Sequence, residues 1–279
     1  MICHARTLSA AFRGWSGLLA TVGGLLFVLY GRAMAGTGVT NQAPATQLID
    51  LADPAVMTGT FYEIGSNRKT ILFKYCRQAK RDGDTIHVEQ AFTLPDSSVA
   101  CRESILYRNG QLVSYSVQDL RAKSQGNILI EPDPKKPKLE RLQLAYLQGS
   151  DSARLRKSNE PLQPNTLICD TIYPFILAHW DDLMQGNSLK FRFVSLDPSG
   201  TFNFRLIKES ESTWQGRPVV GIKMEPGNFI IAHWIRPIFF TIEKSAPHRI
   251  FSYTGRTTPR TFIGGTWKFV DAEAVFDWP

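Results

Sequence analysis

The sequence predicts a mainly β fold: a curved antiparallel sheet, or open half-barrel, with one amphipathic helix at about 171–185 against its concave face. Three observations predict it. From about residue 60 apolar side chains recur at every second position, the period of a half-buried strand. Turn dipeptides separate these runs, and no dozen-residue crossover lies between them, which excludes a parallel sheet in the first half. One long stretch carries the 3.6-residue period instead, and no βα alternation follows it.

The chain starts with a basic, acid-free segment holding Arg6, Arg13 and Arg32. Gly17 to Tyr30 is a 14-residue apolar run, and Ala33-Met34-Ala35 precedes Gly36. That order is the pattern of a secretory signal, here 1–35. The run is shorter than the roughly 20 residues of a spanning helix. An uncleaved N-terminal anchor in the inner membrane is the alternative, and the expected location is otherwise periplasmic or secreted. Residues 36–48 are small and polar, a flexible lead-in to one β-rich domain over 49–279.

Thr85 to Phe92 alternates Ile86, Val88 and Phe92 against His87, Glu89 and Ala91. Asp82-Gly83 before it accepts positive φ at little cost and reads as a hairpin turn. Asn109-Gly110 is a stronger signal of the same kind. As a two-residue loop it sets Leu106 opposite Val113, Ser104 opposite Tyr115 and Arg102 opposite Val117. The first half is thus expected to hold a meander of about four or five strands. Glu131 to Lys138, with three prolines, reads as a loop that breaks it, and 148–165 as a polar excursion.

Asp170 to Gly186 reads as the helix, with Asp170 as N-cap, Pro174 in the first turn and Gly186 as the stop. Ile172, Phe175, Ile176, His179 and Leu183 share one arc. Strands return at Leu189–Val194 and Thr201–Ile207 around the turn Asp197-Pro198-Ser199-Gly200. Further strands are Val219–Glu225, Ile238–Glu243, Arg249–Tyr253 and Thr266–Phe276. Asn228 to Arg236 fits a short helix or a buried strand equally well.

Composition excludes several functions. Ordinary globular content, 43% hydrophobic and 20% charged, rules out a disordered chain and a multi-span membrane protein. The net charge is +7, three of it in the leader, which is weak ground for nucleic-acid binding, and no nucleic-acid partner is expected. Nucleophile-elbow, zinc-protease and phosphate- or dinucleotide-loop motifs are absent, as is Cys/His metal spacing, so neither cofactor nor metal is expected. Cys76, Cys101 and Cys169 follow the leader. A Cys76–Cys101 bridge would have to span two strand spacings of ~4.8 Å each, beyond the ~7 Å Cα limit.

Two tripeptides repeat: Ala178-His179-Trp180 and Ala232-His233-Trp234, each after an apolar triplet. A histidine on the apolar arc of a helix either bonds structural partners in the core or contributes to a polar spot in an apolar pocket. His179, Trp180, His233 and Trp234 are the candidate ligand-binding residues. No catalytic residue is assigned.

The stretch Asp170…Phe175…His179-Trp180-Asp181…Leu183…Gly186…Phe191…Phe193, with Phe202…Phe204-Arg205 and Met224-Glu225-Pro226…Asn228-Phe229, resembles a family of uncharacterised secreted bacterial proteins. The resemblance covers about 165–255. Its expected shape is similar to the open half-barrel of the LolA/LolB-like lipoprotein-localisation proteins, which hold lipid chains in a concave apolar face. Gly59-Thr60-Phe61-Tyr62-Glu63-Ile64 resembles the start of a lipocalin more weakly, with Phe61 in place of Trp. A strand meander with a single helix to cover its wide apolar face, and no catalytic constellation, makes the expected function that of a non-enzymatic protein shielding a lipid or other apolar ligand. One alternative is an envelope hydrolase using His179 or His233 as general base with Asp182 or Glu225 orienting it. Another is an envelope scaffold that binds a protein partner through a sheet edge.

Overall fold

The computed structural model describes residues 50–227 and 236–278. The leader and lead-in, with His233 and Trp234, lie outside the described residues. Eight strands come first: β1 (Val56–Glu63), β2 (Ile71–Asp82), β3 (Thr85–Thr93), β4 (Val99–Arg108), β5 (Gln111–Asp119), β6 (Ser124–Asp133), β7 (Lys136–Leu147) and β8 (Leu155–Pro161). A short β9 (Thr166–Leu167) leads into α1 (Cys169–Ala178) and α2 (Trp180–Met184). The rest is again strand: β10 (Leu189–Leu196), β11 (Ser199–Trp214), β12 (Arg217–Pro226), β13 (Ile238–Glu243), β14 (Ile250–Ile263) and β15 (Thr266–Asp277).

These make one open, curved sheet of 15 strands in the order β8-β7-β6-β5-β4-β3-β2-β1-β15-β14-β13-β12-β11-β10-β9. Two meanders are therefore joined at the middle, where β1 pairs with β15. Only β9 with β10 is parallel among the described pairs. The mainly β, curved antiparallel architecture is as the alternation predicted.

Local chemistry explains the elements. Asn109 and Gly110 take φ of 52° and 73°, the turn whose twist suits a two-residue hairpin. On β3, Ile86, Val88, Gln90 and Phe92 are buried while His87 and Glu89 are exposed. The two sides of the sheet thus carry opposite chemistry, and a one-residue slip would invert it.

Three expectations are corrected. A bulge after Leu106 moves the β4–β5 register by one residue, so Tyr115 lies opposite Ile105 and Val117 opposite Glu103. Keeping Tyr115 inward costs one unpaired position, which is cheaper than exposing the ring. Glu131 to Lys138 is not a break: β6 and β7 continue through it, with Pro134-Lys135 as the turn and a register shift at Pro132. Part of the polar excursion is β8, an exposed strand paired to β7. Because it covers no core, it carries no apolar alternation to read.

The sheet's two ends come together through side chains. Glu160 of β8 accepts from the backbone N–H of Thr201 on β11 at 3.2 Å and from its hydroxyl, and lies 3.5 Å from Arg192 of β10. On the inner face Gly126 of β6 meets Leu196: a Cβ there would sit 2.6 Å from Leu196 Cδ1 and 3.1 Å from Tyr146 Cδ2. Gly126→Ala is expected to destabilise by about 1–3 kcal/mol through overpacking, readable as a lower urea midpoint at unchanged slope.

The predicted helix is two helices. α1 begins after Ile168, whose N–H is accepted by Thr171 Oγ1, so Asp170 sits inside the first turn rather than capping it. His179, at φ −116° and ψ 26°, separates α1 from α2, and Gly186 at φ +87° follows the stop. The break rotates the buried arc. Of the pair's buried residues, Ile172, Ile176, Trp180 and Leu183 share one core with Phe191, Leu206 and Ile222, and Pro174 is buried as well. Each buried side chain of this size contributes roughly 1.5–3 kcal/mol.

Candidate functional site

The register sets a row across the inner face: Arg77 on β2 lies opposite Gln90 on β3, Gln90 opposite Glu103 on β4, and Glu103 opposite Val117 on β5. All three polar residues of the row are buried. Above and below, the same strands present Phe92, Tyr75, Ile105 and Tyr115. A polar stripe thus crosses an aromatic wall.

Asp170 descends onto this stripe from the first turn of α1. Its Oδ1 accepts from Arg77 Nε at 2.8 Å and Gln90 Nε2 at 2.6 Å, and its Oδ2 accepts from Tyr107 OH at 2.8 Å and Arg77 Nη2 at 3.3 Å. Four bonds saturate a carboxylate. Arg77 also donates to the carbonyls of Pro54 at 2.6 Å and Leu51 at 2.8 Å, tying the segment before β1 to the helix start. The Arg77–Asp170 pair is therefore structural: the carboxylate is saturated, and four of the five guanidinium N–H groups are taken.

Glu103 differs. It is 2% exposed, and among the described residues its Oε1 has no hydrogen-bond partner. Burial pushes its carboxyl up to about 7; the Thr258 hydroxyl offsets part of this, and the charge of Asp170 adds to it. Cys169, the first residue of α1, is exposed and borders the same space. Desolvation, with Glu103 and Asp170 nearby, pushes its thiol up to about 12. The thiol is thus protonated and unreactive at neutral pH. Tyr75, Tyr115 and Tyr253 are likewise held well above the usual phenol range, burial being the main cause.

These groups surround a cavity of about 480 Å³ between the meander, the start of α1 and the β14–β15 hairpin. Its walls are mainly apolar and rich in aromatic rings, with Phe61, Phe92 and Tyr253 among them. Tyr75 and Phe92 pack at 5.0 Å between centroids and Phe61 and Phe92 at 5.4 Å. Volume and lining match small-molecule sites, which span roughly 300–1,000 Å³ with a few polar groups.

One side of the cavity is made by a projection. Beyond Gly255, β14 and β15 pair only with each other among the described strands. Thr257 to Pro259 bulge opposite Val270, and Thr257 Oγ1 donates to the Pro259 carbonyl at 2.8 Å and the Val270 carbonyl at 3.1 Å. The bulge puts Thr257 and Thr258 into the cavity wall. Arg260 then anchors the hairpin: its backbone N–H donates to Asp119 Oδ2 at 2.8 Å and its Nη2 to Tyr146 OH at 2.5 Å, with Asp197 as ion partner.

Of the sequence-predicted residues, the two that are described, His179 and Trp180, lie elsewhere. His179 is about one-third exposed rather than buried, its ring 4.6 Å from Phe175 and its Nδ1 3.5 Å from Asp182 Oδ2. Trp180 is buried and stacks on His248 at 4.1 Å. Neither lines the cavity. Glu225, the other proposed orienting acid, pairs with Arg205 and, at 3.0 Å, with Lys223. Cys76, Cys101 and Cys169 are free; Cys101 is buried on the inner face, and Cys76 lies one position out of phase with the inward Tyr75 and Arg77. The signal that would have found the site is phase: Gln90 and Glu103 fall on the apolar beat of their strands.

Burial of Glu103 has a testable cost. An acid whose folded pKa is raised binds its proton more tightly folded than unfolded. Its contribution favours the fold at acid pH and is lost as pH rises from about 4.5 through about 7. The loss is expected to reach about 3 kcal/mol and to vanish in Glu103→Gln, measured by denaturant titration across that range.

No protein-family model matches the chain, and no curated protein matches it. Among solved structures it is similar to a beta-barrel-like protein of the domain of unknown function DUF1849 from Brucella abortus. The similarity has a TM-score of 0.36 and 6% sequence identity, and covers 80% of this chain and 93% of that one. Among the described residues no helix is long and apolar enough to cross a membrane.

Proposed function

We propose that the protein binds a small apolar ligand in the interior of its sheet, and that it does so outside the cytoplasm, as the leader-like N-terminus predicts. The observation that carries this reading is the cavity of about 480 Å³ with apolar walls rich in aromatic rings. A packed core of aromatic rings would close on itself unless held open. Here Arg77–Asp170 holds the helix start and Arg260 holds the hairpin, on two sides of the space. A lipid chain or a molecule of similar bulk is the occupant this favours, in line with the resemblance to lipoprotein-localisation half-barrels.

The test uses the full chain. Native mass spectrometry of protein purified from its own cells is expected to show a retained mass, and delipidated protein is expected to take up a fluorescent acyl-ester probe, which carries no charge, saturably. Val117 lines the cavity between the two apolar clusters. Val117→Phe fills part of the space and is expected to weaken uptake about tenfold, with near-ultraviolet circular dichroism confirming the fold. Absence of saturable uptake by folded wild-type protein overturns the reading.

A further inference from the structure

The inference rests on the apolar-ligand reading and names the ligand's polar group. Six carboxylates and four guanidiniums line the cavity. Each of the four arginines is matched by a wall carboxylate: Arg77 by Asp170, Arg260 by Asp197, and Arg256 and Arg236 by Asp271 at 3.2 and 3.9 Å. Glu103 has no cation among the described residues, and its Oε1 has no hydrogen-bond partner. Beside it stand Tyr115 and Cys169, with Tyr75 and Phe92 nearby on the same wall.

Such an acid is costly in a folded protein, because the Thr258 and Tyr115 hydroxyls replace only part of the hydration a buried carboxylate loses, and no cation faces it. What restores it is a group that donates hydrogen bonds and carries positive charge. Aromatic faces add to this, since their quadrupoles attract a cation. We propose that the cavity takes an apolar amine: a hydrocarbon body among the aromatic rings with its protonated nitrogen at Glu103. The two carboxylates in excess over guanidiniums in the wall favour this charge and disfavour a fatty acid.

The groups around Glu103 are Tyr75 from β2, Cys101 on its own strand, Tyr115 from β5, Cys169 and Asp170 from α1, and Thr258 from β14, beside Gln90 and Val117 in its own row. None of these carries a free positive charge, so the ligand must bring it. The ammonium–carboxylate contact forms best where the acid is ionised and the amine still protonated.

Dodecylamine, dodecanol and dodecanoate, each below its micelle concentration, are titrated against delipidated full-length protein at about pH 8, where an amine remains protonated. The expected order is amine first, by about tenfold over the alcohol, as a charge-assisted hydrogen bond provides. In Glu103→Gln, which keeps the size of the side chain, that preference of amine over alcohol is expected to fall below about threefold. If the variant does not fold, the wild-type preference is followed down to about pH 5, where protonation of Glu103 is expected to abolish it. Alcohol or acid binding as tightly as the amine, or a preference that survives removal or protonation of Glu103, overturns the proposal and leaves the apolar cavity standing. Failure of all three to bind overturns both readings.

Discussion

Asp170→Ala is expected to cost the fold about 3–5 kcal/mol, because it strands a guanidinium that is 4% exposed. The figure follows from what remains. Arg77 keeps its bonds to the Pro54 and Leu51 carbonyls, at 2.6 and 2.8 Å, but loses its counter-charge in a place that water reaches poorly. Gln90 and Tyr107 lose their acceptor at the same time. The first turn of α1 then has no polar tie to β2, β3 and β4. The measurement is urea unfolding followed by circular dichroism. Asp170→Asn, which keeps an acceptor for Tyr107, is expected to lose less. Replacing Arg77 and Asp170 together by Met and Leu is expected to recover most of the loss, since a buried pair is often no more stabilising than a well-packed apolar one. A cost below about 1 kcal/mol for Asp170→Ala would mean that water solvates the pair, and the helix anchor would have to be sought elsewhere.

Arg260→Ala is expected to cost a similar amount, about 3–5 kcal/mol, and to act more locally. The guanidinium is 3% exposed, lies 4.4 Å over the ring of Phe269 and serves both Tyr146 and Asp197. Arg121, set between Phe73 at 5.5 Å and Trp267 at 5.2 Å, donates to the Arg260 carbonyl and grips the same hairpin. Since the strands past Gly255 have no other ladder partner among those described, their hold on the sheet comes from these side chains. Hydrogen exchange is therefore expected to rise over 257–270 before it rises in β2 to β4. Uniform exchange across the sheet would show instead that the hairpin unfolds only with the whole. The acyl probe should also leave faster from this variant, because Thr257 and Thr258 would no longer close the cavity.

The particular elements show how far local chemistry reaches. Alternation located β3 and most strands of the second half, and Asn109-Gly110 located a hairpin. Counting outward from that turn gave the wrong partners for Tyr115, since the bulge after Leu106 answers to burial of the ring and not to the turn. β8 carries no sequence signal, because an exposed strand owes its structure to the neighbour it pairs with. The extension of β14 past Tyr253 was hidden by Pro259, which the bulge accommodates. On the helix, Asp170 has the side chain of an N-cap but sits inside the first turn. Its partners lie about 63 to 93 residues earlier, so no short-range pattern could reveal the ion pair.

By itself, then, the amino-acid order determined the class of fold, the hairpin turns, most strands and the place of the one helical segment. Those depend on φ preferences and on a two- or 3.6-residue period, which act between near neighbours. Tertiary structure alone decided that Arg77, Gln90 and Glu103 stand in one row, that Asp170 satisfies the first two and leaves Glu103 unmatched, and that the β14–β15 hairpin folds over them. Register across several strands depends on where bulges fall and how a sheet of 15 strands curves. Both are set by packing between residues far apart in the chain.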